Sequence, residues 1–91
     1  MDQGLNPFIS VPGVVGDILL IEICDHTLAQ QQIVYRILHP SKVIARKDSF
    51  KAYTVQFRIN HLNDGPYEIE FSLSGRLMQT MRFTKRSLPV F

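Results

Sequence analysis

From Gly65 onward, apolar and polar residues alternate. Tyr67, Ile69 and Phe71 fall on one phase, and Glu68 and Glu70 on the other. A period of two predicts a half-buried β-strand. Asn63-Asp64-Gly65-Pro66 supplies the turn before it, and Ser74-Gly75 the turn after it. Leu77, Met81 and Phe83 then resume on a partner strand, so the stretch predicts a β-hairpin that closes the core. The three can share a face with Tyr67, Ile69 and Phe71 only if the loop holds an odd number of residues. A two-residue loop at Ser74-Gly75 would set Phe71 opposite Met78 and turn Phe83 to solvent. A three-residue loop, Leu73-Ser74-Gly75, sets Phe71 opposite Leu77 and Tyr67 opposite Met81, with Gly75 where a left-handed residue is needed. The outer face would then carry Glu68, Glu70, Met78, Thr80 and Arg82.

The rest of the chain follows the same logic. Residues 1–16, with Gly4, Pro7, Pro12, Gly13 and Gly16, read as an N-terminal arm with at most one edge strand, near Phe8 to Val11. Asp17 to Cys24 is apolar on both phases and predicts a central strand covered on both faces. Leu28 to Gln32 has helical propensity but is too short to stand alone, and 31–38 predicts a strand with a loose start. His39-Pro40-Ser41-Lys42 is a turn, Val43 to Arg46 a short strand, and Lys47 to Phe50 a polar connection. From Ala52 to Ile59, Tyr53, Val55, Phe57 and Ile59 point inward, and Thr54, Gln56 and Arg58 outward. Arg86 to Phe91 is a tail. Six or seven short strands with turns between them and no convincing helix predict an all-β fold: a small immunoglobulin-like antiparallel β-sandwich spanning residues 17–85. No Cys-Trp-Cys arrangement marks it as an antibody-type domain.

Composition bounds this picture. Ninety-one residues make one domain, and 45% hydrophobic with 20% charged residues is a globular composition. The single cysteine, Cys24, allows no intrachain disulfide. No export signal and no membrane-length apolar run is visible, so the chain reads as cytoplasmic or as the mature part of an exported protein. The net charge of +2 hides an asymmetry: residues 1–35 have four acids and no Lys or Arg, whereas 36–91 hold all ten Lys and Arg. Interleaving strands are expected to mix the two halves.

Candidate chemistry is sparse. Cys24 and His26 could share a strand face, but neither a third orienting group nor an oxyanion site accompanies them. With His39 and His61 elsewhere in the chain, the spacing gives at most two ligands, where a metal site needs three or four converging. Glu68 and Glu70 are paired carboxylates of a kind some glycosidases use. On a solvent face they are better partners for Arg58 and Arg82, forming a charge ladder. Tyr53, Phe57, Tyr67, Phe71 and Phe83 share the phase of Val55, Ile59 and Ile69, so they are core residues and not a base-stacking platform. Phosphate-binding glycine loops and glycosylation sequons are missing.

One resemblance adds to this. The run comprises Val34-Tyr35-Arg36-Ile37-Leu38, a turn with Lys42-Val43-Ile44, then Leu62-Asn63-Asp64-Gly65-Pro66-Tyr67-Glu68-Ile69 and a closing Met81-Arg82-Phe83-Thr84-Lys85. It resembles the immunoglobulin-like sandwich modules of secreted Bacteroidetes proteins, and in particular the C-terminal sorting domains of type IX secretion. Gly65, Tyr67 and Lys85 are the matching pattern positions; the usual Gly-Lys turn is here Ser41-Lys42. The resemblance implies a secreted or cell-surface domain that works by binding a protein. The expected function is therefore a non-catalytic protein-interaction module that uses a strand edge or its charged outer face, with no catalytic residues, metal or cofactor. Candidate interaction residues are Gly65, Tyr67, Lys85, Arg58, Arg82, Glu68 and Glu70. Two alternatives stand beside it: a self-assembling structural protein, such as a phage or surface component, that uses its terminal arms, and a nucleic-acid binder that uses the basic second half. Protein partners or self-association are favoured over nucleic acid, and no small-molecule substrate is evident.

Overall fold

A computed structural model describes residues 8–87. The chain is an all-β sandwich. Its strands are β1 (Ile9–Ser10), β2 (Val14–Val15), β3 (Ile18–Ile23), β4 (Ile33–Leu38), β5 (Ile44–Phe50), β6 (Thr54–Arg58), β7 (Gly65–Leu73) and β8 (Arg76–Lys85), with one helical turn, α1 (His26–Ala29), between β3 and β4. Six strands have five or more residues; β1 and β2 have two each. A three-stranded sheet in the order β1-β3-β6 faces a five-stranded sheet in the order β2-β8-β7-β4-β5. In immunoglobulin terms these are strands A, B and E against G, F, C and C′, with β2 added beside G. All pairings are antiparallel except β2 with β8. No described helix is long and apolar enough to cross a membrane.

The core lies between the sheets. Ile9, Leu19 and Ile21 come from one sheet, and Ile33, Tyr35, Ile37, Ile69 and Phe71 from the other, all with no exposed surface. The Tyr35 ring on β4 meets Phe57 on β6 at 4.7 Å, an aromatic contact that spans the two layers. Its hydroxyl is buried without a hydrogen-bond partner. That burial pushes its pKa up, against the pull of nearby Arg46.

The closing hairpin reaches the expected orientation by a different route. Its loop is the two-residue Ser74-Gly75, both at positive φ (52° and 79°), the geometry that matches strand twist. A bulge then inserts Met78, so that Ser72 faces Leu77 but Phe71 faces Gln79, Ile69 faces Met81 and Tyr67 faces Phe83. One extra residue flips the phase, and Phe83 returns to the core, stacked on Tyr67 at 5.6 Å. Leu77, beyond the bulge, is 55% exposed and not part of the core face. The loop type expected at 73–75 occurs instead at Pro40-Ser41-Lys42. There His39 N–H donates to the Val43 carbonyl (2.9 Å) and Lys42 takes the left-handed position at φ 71°.

Several other expectations are corrected. β3 is central in its sheet but covered on one face only: Leu19, Ile21 and Ile23 are buried, while Ile18 and Glu22 are exposed. Lys47 to Phe50 is not a connection but the second half of β5. Tyr53 is 48% exposed and precedes β6. Its ring lies beside His26 of α1, with 5.9 Å between centroids, and its hydroxyl bonds His26 Nδ1, while Leu28 and Ala29 of the same helix are buried in the core. Asp25 caps α1 by accepting from Leu28 N–H at 2.8 Å, which fixes the short helix. Of the N-terminal stretch, Ile9–Ser10 joins one sheet and Val14–Val15 the other, and Ile9 and Val15 are buried. Residues 1–7 of the expected arm and 88–91 of the expected tail lie outside the described residues.

Candidate interaction surface

The five-stranded sheet turns Arg36 (β4), Glu68 and Glu70 (β7) and Thr80 and Arg82 (β8) to its outer side, because each lies on the phase opposite the core residues of its strand. Cross-strand register then pairs the charges. Glu68 sits opposite Arg82, with Nε 3.7 Å from Oε2. Glu70 sits opposite Arg36 and is bonded to it. Lys42, from the Pro40–Lys42 turn, bonds the other oxygen of Glu68. The left-handed backbone at Lys42 sets this side chain over β7. Both Glu68 oxygens are thus held by cations. The bond from Lys42, with the charges of Lys42 and Arg82, keeps its pKa below the usual carboxylate value despite some desolvation. A carboxylate so committed is an anchor for its neighbours and not a free base.

Beside this cluster lies a recess of about 560 Å3, lined by Pro40, Lys42, Pro66, Glu68, Arg82 and Thr84 among others. With two cations and one carboxylate on its wall, the recess has a positive balance, and Arg82, 85% exposed, is its most accessible charge.

The other expected positions fall elsewhere. Tyr67 is buried, and its hydroxyl donates to the Asn63 carbonyl at 2.6 Å. This is the tyrosine corner of immunoglobulin-like sandwiches, which ties the β6–β7 connection to the start of β7. Gly65 opens β7 at φ 141°, a backbone that a side chain would strain, and faces Lys85 across the ladder. Lys85 is 2% exposed; its ammonium lies 3.6 Å from Asp17 Oδ1 and 3.5 Å from Asp64 Oδ1. Asp64 also accepts from the Ser87 hydroxyl (2.7 Å) and the Ser87 N–H (3.0 Å), and these bonds, with Lys85, lower its pKa. Gly65, Tyr67 and Lys85 therefore share one end of the sandwich, with the Tyr67 and Lys85 side chains buried there. Arg58 belongs to β6 in the other sheet, away from the glutamates. Its carbonyl accepts from Arg46 Nη1 at 2.7 Å.

Sequence reasoning placed Glu68 with Arg82 but missed Arg36 and Lys42, whose proximity depends on strand order and on a turn conformation. It also missed Gln79. The bulge turns this side chain inward, where Nε2 donates to the Ile9 carbonyl (2.8 Å) and Oε1 accepts from Ile9 N–H (3.3 Å). Cys24 is exposed, and among the described residues no three His, Cys, Asp or Glu side chains converge as a metal would require. A scan of protein-family models finds no match to this chain, and a search of curated proteins finds no significant one.

Proposed function

We propose that this domain is a protein-interaction module that acts by binding rather than by catalysis, and that it serves in secretion or at the cell surface as the type IX sorting domains it resembles do. The observation that carries the reading is β5, seven residues long with a neighbour on one side only. An unpaired strand edge of that length is a ready partner for another polypeptide. The ion-paired outer face next to it supports the reading in a second way. Its charges hold one another in place, so an approaching protein meets a fixed pattern and not a set of mobile side chains. The chain would meet its partner through main-chain pairing along β5, with Lys42, Glu68 and Arg82 setting orientation. The sorting role is tested by fusing the chain to a reporter in a bacterium with type IX secretion. Export should be lost on deleting residues 62–91, which removes β7 and β8; undiminished export would dismiss sorting.

A further inference from the structure

The four outer strands of the two sheets do not offer equal edges. β1 is two residues long, and both main-chain groups of Ile9 are occupied by the Gln79 amide. β2 is equally short. On β6 the Arg58 carbonyl is taken by Arg46, whose guanidinium lies 5.1 Å from the Phe57 ring centre and spans the gap between the sheets. β5 remains. Its pairing with β4 shows which groups are free. His39 N–H bonds the Val43 carbonyl, so odd-numbered β4 residues face β5. Their partners Arg46, Asp48 and Phe50 therefore bond β4, and the alternation of an antiparallel ladder turns the main chain of Lys47 and Ser49 outward. Ser49 N–H accordingly finds only the neighbouring Asp48 Oδ1, at 2.8 Å. No side chain among the described residues bonds the Lys47 main chain.

Charge identifies the partner. Lys47 and Lys51 are exposed and have no ion-pair partner among the described residues, in contrast to Arg36 and Lys42 on the same sheet. At the other end of β5, Val43 and Ile44 are 59% and 48% exposed. A second copy of the chain fits badly. Two-fold-related antiparallel strands pair residues of equal parity, because paired side chains leave the same face. Registers centred on Arg46, Lys47 or Asp48 set the central residue against its own copy, like charge on like, and the Arg46–Asp48 oppositions of the Lys47 register only replace a pair already made within each chain. Nucleic acid has no main chain to pair with Lys47 and Ser49. Building on the interaction-module reading, we infer that β5 takes up an extended acidic peptide segment as a sixth strand of the large sheet. Carboxylates of the segment would lie beside Lys47 and Lys51, an aliphatic side chain against Val43 and Ile44, and a carbonyl would take the place of Asp48 at Ser49 N–H.

The test uses a fluorescent ten-residue peptide of alternating glutamate and valine, its lysine–valine counterpart and a single-stranded oligothymidine. The glutamate peptide should bind, more weakly as salt rises, and should slow amide exchange at Lys47 and Ser49 but not at Arg46 or Asp48. Ser49→Pro removes an outward donor without breaking a bond to β4 and should weaken binding at least tenfold with an unchanged circular dichroism spectrum. Lys47→Glu with Lys51→Glu, both in solvent, should also cost about tenfold and gives the same information if the proline variant misfolds. No binding of the glutamate peptide at millimolar concentration, or binding indifferent to these variants, overturns the inference. Protection appearing around Lys42 and Arg82 instead would move the site and leave the interaction module standing. Oligothymidine binding in place of the peptide would remove both.

Discussion

The β1 and β5 edges solve the same problem in opposite ways. A strand at the margin of a sheet has main-chain donors and acceptors without a ladder partner. At β1, Gln79 reaches across from β8 and offers one donor and one acceptor to Ile9, a peptide group's worth of bonding from a single side chain. That contact also joins the two sheets. At β5 nothing comparable occurs: Lys47 and Ser49 face water, and only Asp48 turns back to its neighbour's N–H. A short edge with an apolar residue at its centre is closed, and a long edge with a polar run is left open. Closure is therefore a property of the β1 edge, set by which strand a single inserted residue on β8 brings within reach of the glutamine.

The contrast presumes that both edges hang on one rigid centre. Phe71 on β7 is fully buried in the core between them. Phe71→Ala should destabilise the domain by about 3–5 kcal/mol, the usual range for emptying a buried aromatic site. Chemical denaturation measures the loss, and amide exchange should quicken at Ile9 and along β4–β5 together. One edge opening while the other held would mean that the two belong to separate cooperative units and cannot be compared as like with like. A smaller effect is expected from Gln79→Ala. Loss of its two bonds to a buried main chain should cost about 1–3 kcal/mol. Exchange at Ile9 should accelerate with β5 unaffected, and the freed edge should promote self-association in sedimentation. An unchanged denaturation midpoint would show that the amide closes nothing.

Acid should have the smallest effect, and it separates the regions again. The pKa values of Glu68 and Asp64 are lowered in the folded protein by Lys42 and by Ser87, respectively. A carboxylate with a depressed folded pKa stabilises the fold fully above its unfolded value and loses that contribution as pH falls through the folded one. The two groups should therefore add no slope between roughly pH 7 and 5. They should produce a decline below their ordinary values of 4.5 and 3.8. Glu68→Gln should remove part of the decline, as read by thermal unfolding across the pH series, and should leave peptide binding at the open β5 edge unchanged.

Much of the fold was legible because a covered sheet face leaves a period of two. Tyr67, Ile69 and Phe71, and Val55, Phe57 and Ile59, could be assigned to the interior from spacing alone. Phe83 was placed correctly for the wrong reason: parity required one extra residue, and nothing in Leu-Met-Gln distinguished a bulge at Met78 from a longer loop. Residues 47–50 of β5 were read as a connection because an open edge with one covered face carries the same polar residues as a loop. The surface followed the same division. Glu68 and Arg82 lie on consecutive strands, so their meeting follows from the hairpin. The Arg36–Glu70 pair needs the order of the whole sheet, and Lys42 needs a positive φ that no glycine announces. Lys85 ran against the general rule that keeps ammonium groups in water.

That last residue gives the domain a built-in reporter of its own integrity. Lys42, Lys47 and Lys51 are open to any acylating reagent, whereas the Lys85 amine is enclosed between Asp17 and Asp64 with 2% of its side chain accessible. Brief acetylation should mark the first three and spare the fourth, and its mass adduct should emerge only when the C-terminal end of β8 lets go.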